Sequence, residues 1–443
     1  MKARRFLNVV TDKYLGGSLS RIINPRKHLF YPTTAEAQQH QIQRPPKAKA
    51  KGSTPAANTV EKEEDESSST AEDKYDGLLQ LPKPKLRFKT SPKIGRGVNI
   101  FDVLPFYGTT RTGEGEERIL CVDGNGKASL YDIEASTIEM MPSLSYKPDP
   151  WWNPVSLCVT NTTAAAEDDL DAAHDPDRPD ALYVMDCMGH NFEALVYGDP
   201  DPPSPSKFMD NDWYRDHLHR DRRVWHWRKL PLPPIAGCGP ISVESYALVH
   251  QGHGGEEGAS SSSNSNNTIC VSFNTGPHDE RPHLTPLRGT YCFDTRTGEW
   301  TKASDCKLPF WSRAQHVPEL GNGLLFGFEN TTFGVHSRFI AVDVSGIMRM
   351  DKSAPALRHA WIEIDPPSGW HEQDRSMVYL GDGKFCIHRS FNIMETDGWG
   401  SGEERVDTVD LLTGVEVVRE GSRLRMVKHK SKRLDAYIVD SIL

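Results

Sequence analysis

After residue 110 the chain alternates short runs of β-branched and aromatic residues with clusters of Asp, Gly, Asn and Thr, and a 3.6-residue helical period is almost absent. The clearest stretch is GTYCFDTRTGEW, Gly289 to Trp300. Thr290 to Phe293 predicts a strand buried on both faces, and Asp294 to Gly298 supplies the polar residues and the glycine of a tight reversal. Trp300 then opens the return strand.

Looser copies keep this order. They are ILCVDGNGKASLYDIEASTIEMMPSL (Ile119 to Leu144), ALYVMDCMGHNFEALVYGD (Ala181 to Asp199) leading to WHWRKLPLPP (Trp225 to Pro234), FIAVDVSG (Phe339 to Gly346) leading to HAWIEIDPP (His359 to Pro367), and KFCIHRSF (Lys384 to Phe391) leading to VDTVDLLTGVEVV (Val406 to Val418). Asp132, Asp199, Asp294, Asp343 and Asp410 are taken as equivalent turn positions. The step from Asp294 to Asp343 fits a propeller blade of about 40 to 50 residues, and the longer steps imply insertions. Three are visible: the acidic 166–180, the mixed proline-rich and aromatic 200–223, and the Gly/Ser/Asn-rich 254–267. The expected fold is therefore all-β, a single β-propeller of about six or seven blades over 81–443, preceded by a partly disordered N-terminal extension. AYIVDSIL (Ala436 to Leu443) is strand-like, and pairing it with a strand from the other terminus would remove the open edges of a ring.

The extension divides by charge. Residues 1–43 form a basic arm, and 44–80 read as a disordered linker whose acidic run begins at Glu61. The basic front admits a mitochondrial presequence, a membrane or nucleic-acid contact, or an ordered arm whose Phe6, Leu7, Val9 and Val10 dock on the body. The third is preferred, because HLFYP (His28 to Pro32) would otherwise expose three consecutive large apolar residues. KHKSKR (Lys428 to Arg433) has the composition of a nuclear-localisation patch, against the plainer reading of solubilising charge on a terminal strand. The expected location is cytoplasmic or nuclear, with mitochondria as the alternative.

Composition narrows the chemistry. The 443 residues carry a net charge of -9, and no apolar run reaches the 18 or so residues that cross a membrane as a helix. The eight cysteines are dispersed without a CxxC pair and read as reduced, small apolar residues of strands. HExxH, GxSxG, GxxxxGK[ST] and GxGxxG are all missing, so peptidase, serine hydrolase, phosphate-loop and dinucleotide readings lack local support. His217 and His219 beside Asp210, Asp212 and Asp216, and the group Asp175, Asp177 and Asp180, read as solvated loops rather than metal ligands. No metal or cofactor is expected. Trp225, Trp227, Trp300 and Trp361 occupy presumed return strands and read as core, and HVPEL (His316 to Leu320) reads as a structural turn.

RRFLNVV (Arg4 to Val10), HLFYPTTAEA (His28 to Ala37), GTYCFDTRTGEW, LPFWSRAQHVPELGNGLLFGF (Leu308 to Phe328) and LRHAWIEIDPP (Leu357 to Pro367) together resemble a large group of uncharacterised grass proteins. That group has a propeller-like body similar in pattern to kelch and F-box-associated propellers. The resemblance implies the fold and brings no catalytic motif. The paired glycines that open a kelch blade are missing here, as is the Leu-Pro-led helical pattern of an F-box, so direct binding to a ubiquitin-ligase scaffold is not expected.

The functional expectation is a non-enzymatic, monomeric protein-interaction scaffold, binding unidentified protein partners through inserted loops on one rim. Trp151, Trp152, Trp213, Tyr214, Arg215, His217 and His219 are the candidate partner-binding residues, because Trp, Tyr and Arg dominate binding hot spots. Nucleic acid and membrane are not favoured partners. The alternative is an enzyme of hydrolase or lyase type with its site at the central channel.

Overall fold

A computed structural model describes residues 4–11, 17–43, 75–87, 100–108, 116–123, 125–133, 135–147, 154–159, 181–198, 224–234, 241–251, 266–275, 289–331, 336–396, 403–435 and 438–443. Among these, strand accounts for 62% and helix for 8%, so the chain is mostly β, built as several antiparallel sheets.

The N-terminal segment gives β1 (Phe6–Thr11), β2 (Ser18–Ile23), α1 (Pro25–Leu29), α2 (Thr34–Gln43), β3 (Leu78–Gln80) and β4 (Leu86–Arg87). Consecutive meanders follow: β5 (Ile100–Gly108), β6 (Glu116–Asp123), β7 (Ala128–Asp132) and β8 (Thr137–Met141); then β9 (Val155–Val159), β10 (Ala181–Met185), β11 (Phe192–Gly198) and β12 (Val224–Lys229). Next come β13 (Ile241–Gln251), β14 (Asn266–Thr275), β15 (Thr290–Asp294) and β16 (Glu299–Ser304), and β17 (Ser312–His316), β18 (Leu324–Phe328), β19 (Phe339–Asp343), the short α3 (Ser345–Met348) and β20 (Ala356–Trp361). The last meander is β21 (Trp370–Gly381), β22 (Lys384–Thr396), β23 (Glu403–Glu420) and β24 (Arg423–Asp435), and β25 (Val439–Ile442) ends the chain.

Two of these meanders join through parallel pairing of their first strands, β13 with β17, into one eight-stranded sheet. The four-stranded sheet β25-β1-β2-β4 draws on both ends of the chain. The strand at the C-terminus thus pairs with one near the N-terminus, as AYIVDSIL suggested.

The chain divides into two compact units: residues 1–9, 21–82 and 362–442, and residues 10–20, 83–361 and 443. In the first, Leu7, Val9, Leu29, Phe30, Leu380, Cys386, Leu412 and Val439 share an apolar core. Leu29 and Phe30 of HLFYP are buried in it, so this part of the basic arm is core rather than surface. Thr33 caps α2 by accepting the Glu36 backbone N–H, in the Thr-x-x-Glu pattern of a helix start. β3 pairs in parallel with β24 through Leu78, Leu79 and Gln80, so the last residues of the expected linker are strand, and 44–74 lie outside the described residues.

KHKSKR lies within β24, which pairs with β23 and β3. His429 and Ser431 point inward, Lys430 sits 4.9 Å from the Tyr31 ring centroid, and Arg433 pairs with Asp407.

In the second unit, one core gathers Leu157, Tyr183, Phe192, Val271, Phe273, Tyr291 and Phe293, and another Cys270, Cys292, Phe310, Leu325, Ile340 and Val342. GTYCFDTRTGEW folds as its pattern predicts. Thr290 to Phe293 are buried, and Asp294 Oδ1 accepts the backbone N–H groups of Arg296 and Thr297. Gly298 adopts φ 72°, the left-handed turn conformation glycine takes without strain. Asp132 and Asp343 likewise close their turns by accepting the amides of Ala135 and Ser345.

Asp410 is a correction. It lies inside the 18-residue β23 and is buried, because this meander is built on longer strands and its turn falls after Glu420. Trp225, Trp227, Trp300 and Trp361 are half-buried, packing one face on a core instead of filling it. The indoles of Trp227 and Trp300 donate to the carbonyls of Pro142 and Pro231, each just beyond the last strand of the preceding meander, at 2.8 Å in both cases. HVPEL contains a single 3-10 turn, Pro318–Leu320.

Candidate functional site

A group of buried ionisable side chains lies in the first unit, on β21, β22 and β23 and at Glu363 just before β21. Successive residues of a strand face opposite sides of its sheet, so the adjacent His388 and Arg389, both buried, belong to two separate networks.

On one face Ser376 lies directly opposite His388, its Oγ 3.3 Å from Nδ1. His388 Nε2 is 2.9 Å from Asp410 Oδ1, and Asp410 Oδ2 accepts the Val439 backbone N–H at 3.2 Å. Ser376, His388 and Asp410 thus form a continuous side-chain series in which both imidazole nitrogens have a hydrogen-bond partner. Asp374 lies two residues before Ser376 on the same face. Burial pushes its carboxyl up, Asp410 adds to this, and His388 opposes it.

On the other face Arg389 donates from Nε to Glu363 and from Nη1 to Glu372 Oε2 at 2.8 Å. Arg375 donates to Glu372 Oε1 at 3.1 Å. A shift of register between Glu372 and Asp374 marks a bulge, which brings Glu372 to the face of Arg375, three residues on. Burial works against the charge of Arg389, and Glu363 and Glu372 more than offset it, so its pKa stands above the ordinary value. Glu363 Oε2 is buried with no hydrogen-bond partner among the described residues.

Chemically, the first network is a Ser-His-Asp series ending at a half-buried hydroxyl, and the second is a charge-balanced lattice. Both fasten adjacent strands, and in both the ionisable groups are mostly consumed by one another. No group of three or more His, Cys, Asp or Glu side chains among the described residues is arranged to hold a metal ion.

Trp151, Trp152, Trp213, Tyr214, Arg215, His217 and His219 lie outside the described residues, as do insertions 166–180 and 200–223 and most of 254–267, whose last two residues begin β14. Their attachment points are described. Val159 lies opposite Ala181, Gly198 opposite Val224, and Gln251 opposite Asn266, so each insertion leaves and re-enters between two directly paired strands. In the antiparallel order β9-β10-β11-β12, the connections from β9 to β10 and from β11 to β12 fall at one end of the sheet. The chain enters β9, three residues after Trp152, at the other end. The topology therefore separates the attachment of the Trp151–Trp152 pair from that of the 199–223 connection.

No local motif marks the buried networks, because their partners are remote in sequence. The available signal was polar: HEQDRS in β21 and HRS in β22 interrupt otherwise apolar strands. Against this geometry, the family described as "Protein of unknown function (DUF1668)" matches residues 4–434. The chain belongs to this family. No curated protein matches it. Membership accounts for the match over nearly the whole length and leaves the activity of the DUF1668 fold open.

Proposed function

We propose that this chain is a non-enzymatic protein-interaction scaffold with a body of the β-propeller type, made of about six four-stranded blades. Five consecutive meanders and a sixth sheet drawn from both termini support that body. The observation that carries the scaffold reading is the anchoring of two insertions at one end of the β9–β12 sheet, each with its ends on opposing register positions. A loop whose ends are fixed that way presents its residues on a rigid base and tolerates exchange of its sequence. The 199–223 connection, with Trp213, Tyr214, Arg215, His217 and His219, supplies the principal contact, and Trp151 and Trp152 act as a separate contact. The partner is a protein in the cytoplasm or nucleus.

The test is Trp213→Ala with Tyr214→Ala in the full chain, compared with wild type by proximity labelling. A shared set of neighbours lost from the variant at unchanged melting temperature is expected, and retention of every neighbour would remove the proposal. A second reading, a hydrolase-type enzyme, draws on the Ser376–His388–Asp410 series. Labelling by a fluorophosphonate probe that disappears in Ser376→Ala would favour it.

A further inference from the structure

The second unit holds a pair of thiols placed for a reaction. Cys270 on β14 and Cys292 on β15 are directly opposite residues of an antiparallel ladder, with sulfurs 3.2 Å apart. Met348 Sδ of α3 lies 3.9 Å from Cys270 Sγ. The two cysteines are 1% and 2% exposed, in a core that includes Ala247, Ala303, Ile340, Val342 and Ile347.

Opposed residues of an antiparallel pair have Cα atoms about 4.5 or 5.5 Å apart, and both values fall within the roughly 4.4 to 6.8 Å that a disulfide spans. The backbone is therefore already at bonding separation, and only the side chains have to close. An apolar core also favours the neutral disulfide over a thiolate or a thiolate-bound metal. The contact with the Cys292 sulfur and the burial both hold the Cys270 thiol well above its usual range, so this thiol rests protonated.

We propose that Cys270 and Cys292 form an oxidisable pair, which a peroxide converts to a disulfide stapling β14 to β15. One thiol loses its proton and its sulfur attacks a peroxide oxygen, giving a sulfenic acid and one water. The second thiol then attacks that sulfur, its proton leaves with the hydroxyl as a second water, and the S–S bond forms. Two electrons pass from the sulfurs to the peroxide. Because both thiols are buried, oxidation waits on a local opening of the β15–β16 edge, so the pair reacts more slowly than the exposed Cys306.

The test treats the reduced full-length chain with hydrogen peroxide over a time course. Remaining thiols are alkylated in denaturant, and the digest is read without reduction by mass spectrometry. The expected result is an equal loss of alkylatable thiol at Cys270 and Cys292, a linked peptide lighter by two hydrogens, and acceleration by sub-denaturing urea. Cys292→Ala should remove the linked peptide and leave Cys270 unoxidised. Cys270 and Cys292 still free at the end of the time course in sub-denaturing urea, or linkage of either to another cysteine, would overturn the proposal.

Discussion

Replacing Arg389 by methionine keeps an unbranched chain out to the position of Nε and deletes the charge that two carboxylates share. Glu363, Glu372 and Arg389 are all at least nine-tenths buried, so the variant removes from the interior the positive charge that both carboxylates share, while the Arg375–Glu372 pair remains. Breaking a buried pair from one side costs about 3–5 kcal/mol. Set against the 5–15 kcal/mol that typically holds a protein folded, this is a large fraction. Glu363→Gln added to Arg389→Met neutralises the carboxylate that lost its only described partner, while Glu372 keeps Arg375. The double variant should therefore recover about 1–3 kcal/mol. Urea unfolding followed by tryptophan fluorescence reads both quantities. A cost below about 1 kcal/mol, or no recovery in the double variant, would show that the lattice does not hold these strands.

Glu416 is held down to about 2, chiefly by its hydrogen bond with His429, then by Lys384 and Thr34 against the effect of burial. A depressed carboxylate stabilises above its unfolded pKa of 4.5 and loses that contribution as pH falls towards 2, so wild type should lose about 3 kcal/mol over this window and Glu416→Gln should not. Urea midpoints from pH 6 to pH 2.5 would check it. Gly289→Ala should cost about 2 kcal/mol or more by chemical denaturation, because φ is 137° and a Cβ would strike the Ser304 carbonyl. Gly298→Ala meets open space and should cost only about 1 kcal/mol. Trp300→Phe, which keeps the ring and loses the bond to Pro231, should lower stability by about 1 kcal/mol in the same assay.

Local chemistry was legible. Gly298 and Asp294 announce their turn, since a left-handed residue and a side-chain acceptor for turn amides are each nearly confined to a few residue types. Thr290 to Phe293 announce a buried strand by shape alone. Strand length was not legible in the same way. VDTVDLLTG contains aspartates and a glycine, the letters of a turn, yet runs unbroken through β23, because His388 and the Val439 amide satisfy Asp410 inside the sheet. A buried aspartate with partners from other strands and a turn aspartate bonded to its own neighbours have the same one-letter code.

The same limit explains why the insertions were found and their geometry was not. Composition marks 166–180 and 200–223 as departures from the repeat, since neither has the apolar pattern of a strand. Which sheet end each belongs to depends on the parity of the connection within the meander. The first-to-second and third-to-fourth connections share an end, and the entry to the first strand lies opposite. Once β9 is known to open its meander, Val159↔Ala181 and Gly198↔Val224 fix both insertions to one end. The start of β9 at Val155, three residues after Trp152, lies at the other end. Loss of one partner set on changing Trp213 and Tyr214, with that set kept on changing Trp151 and Trp152, would be the signature of two independent contacts. Simultaneous loss of one set in both variants would require a partner that spans the five-residue strand.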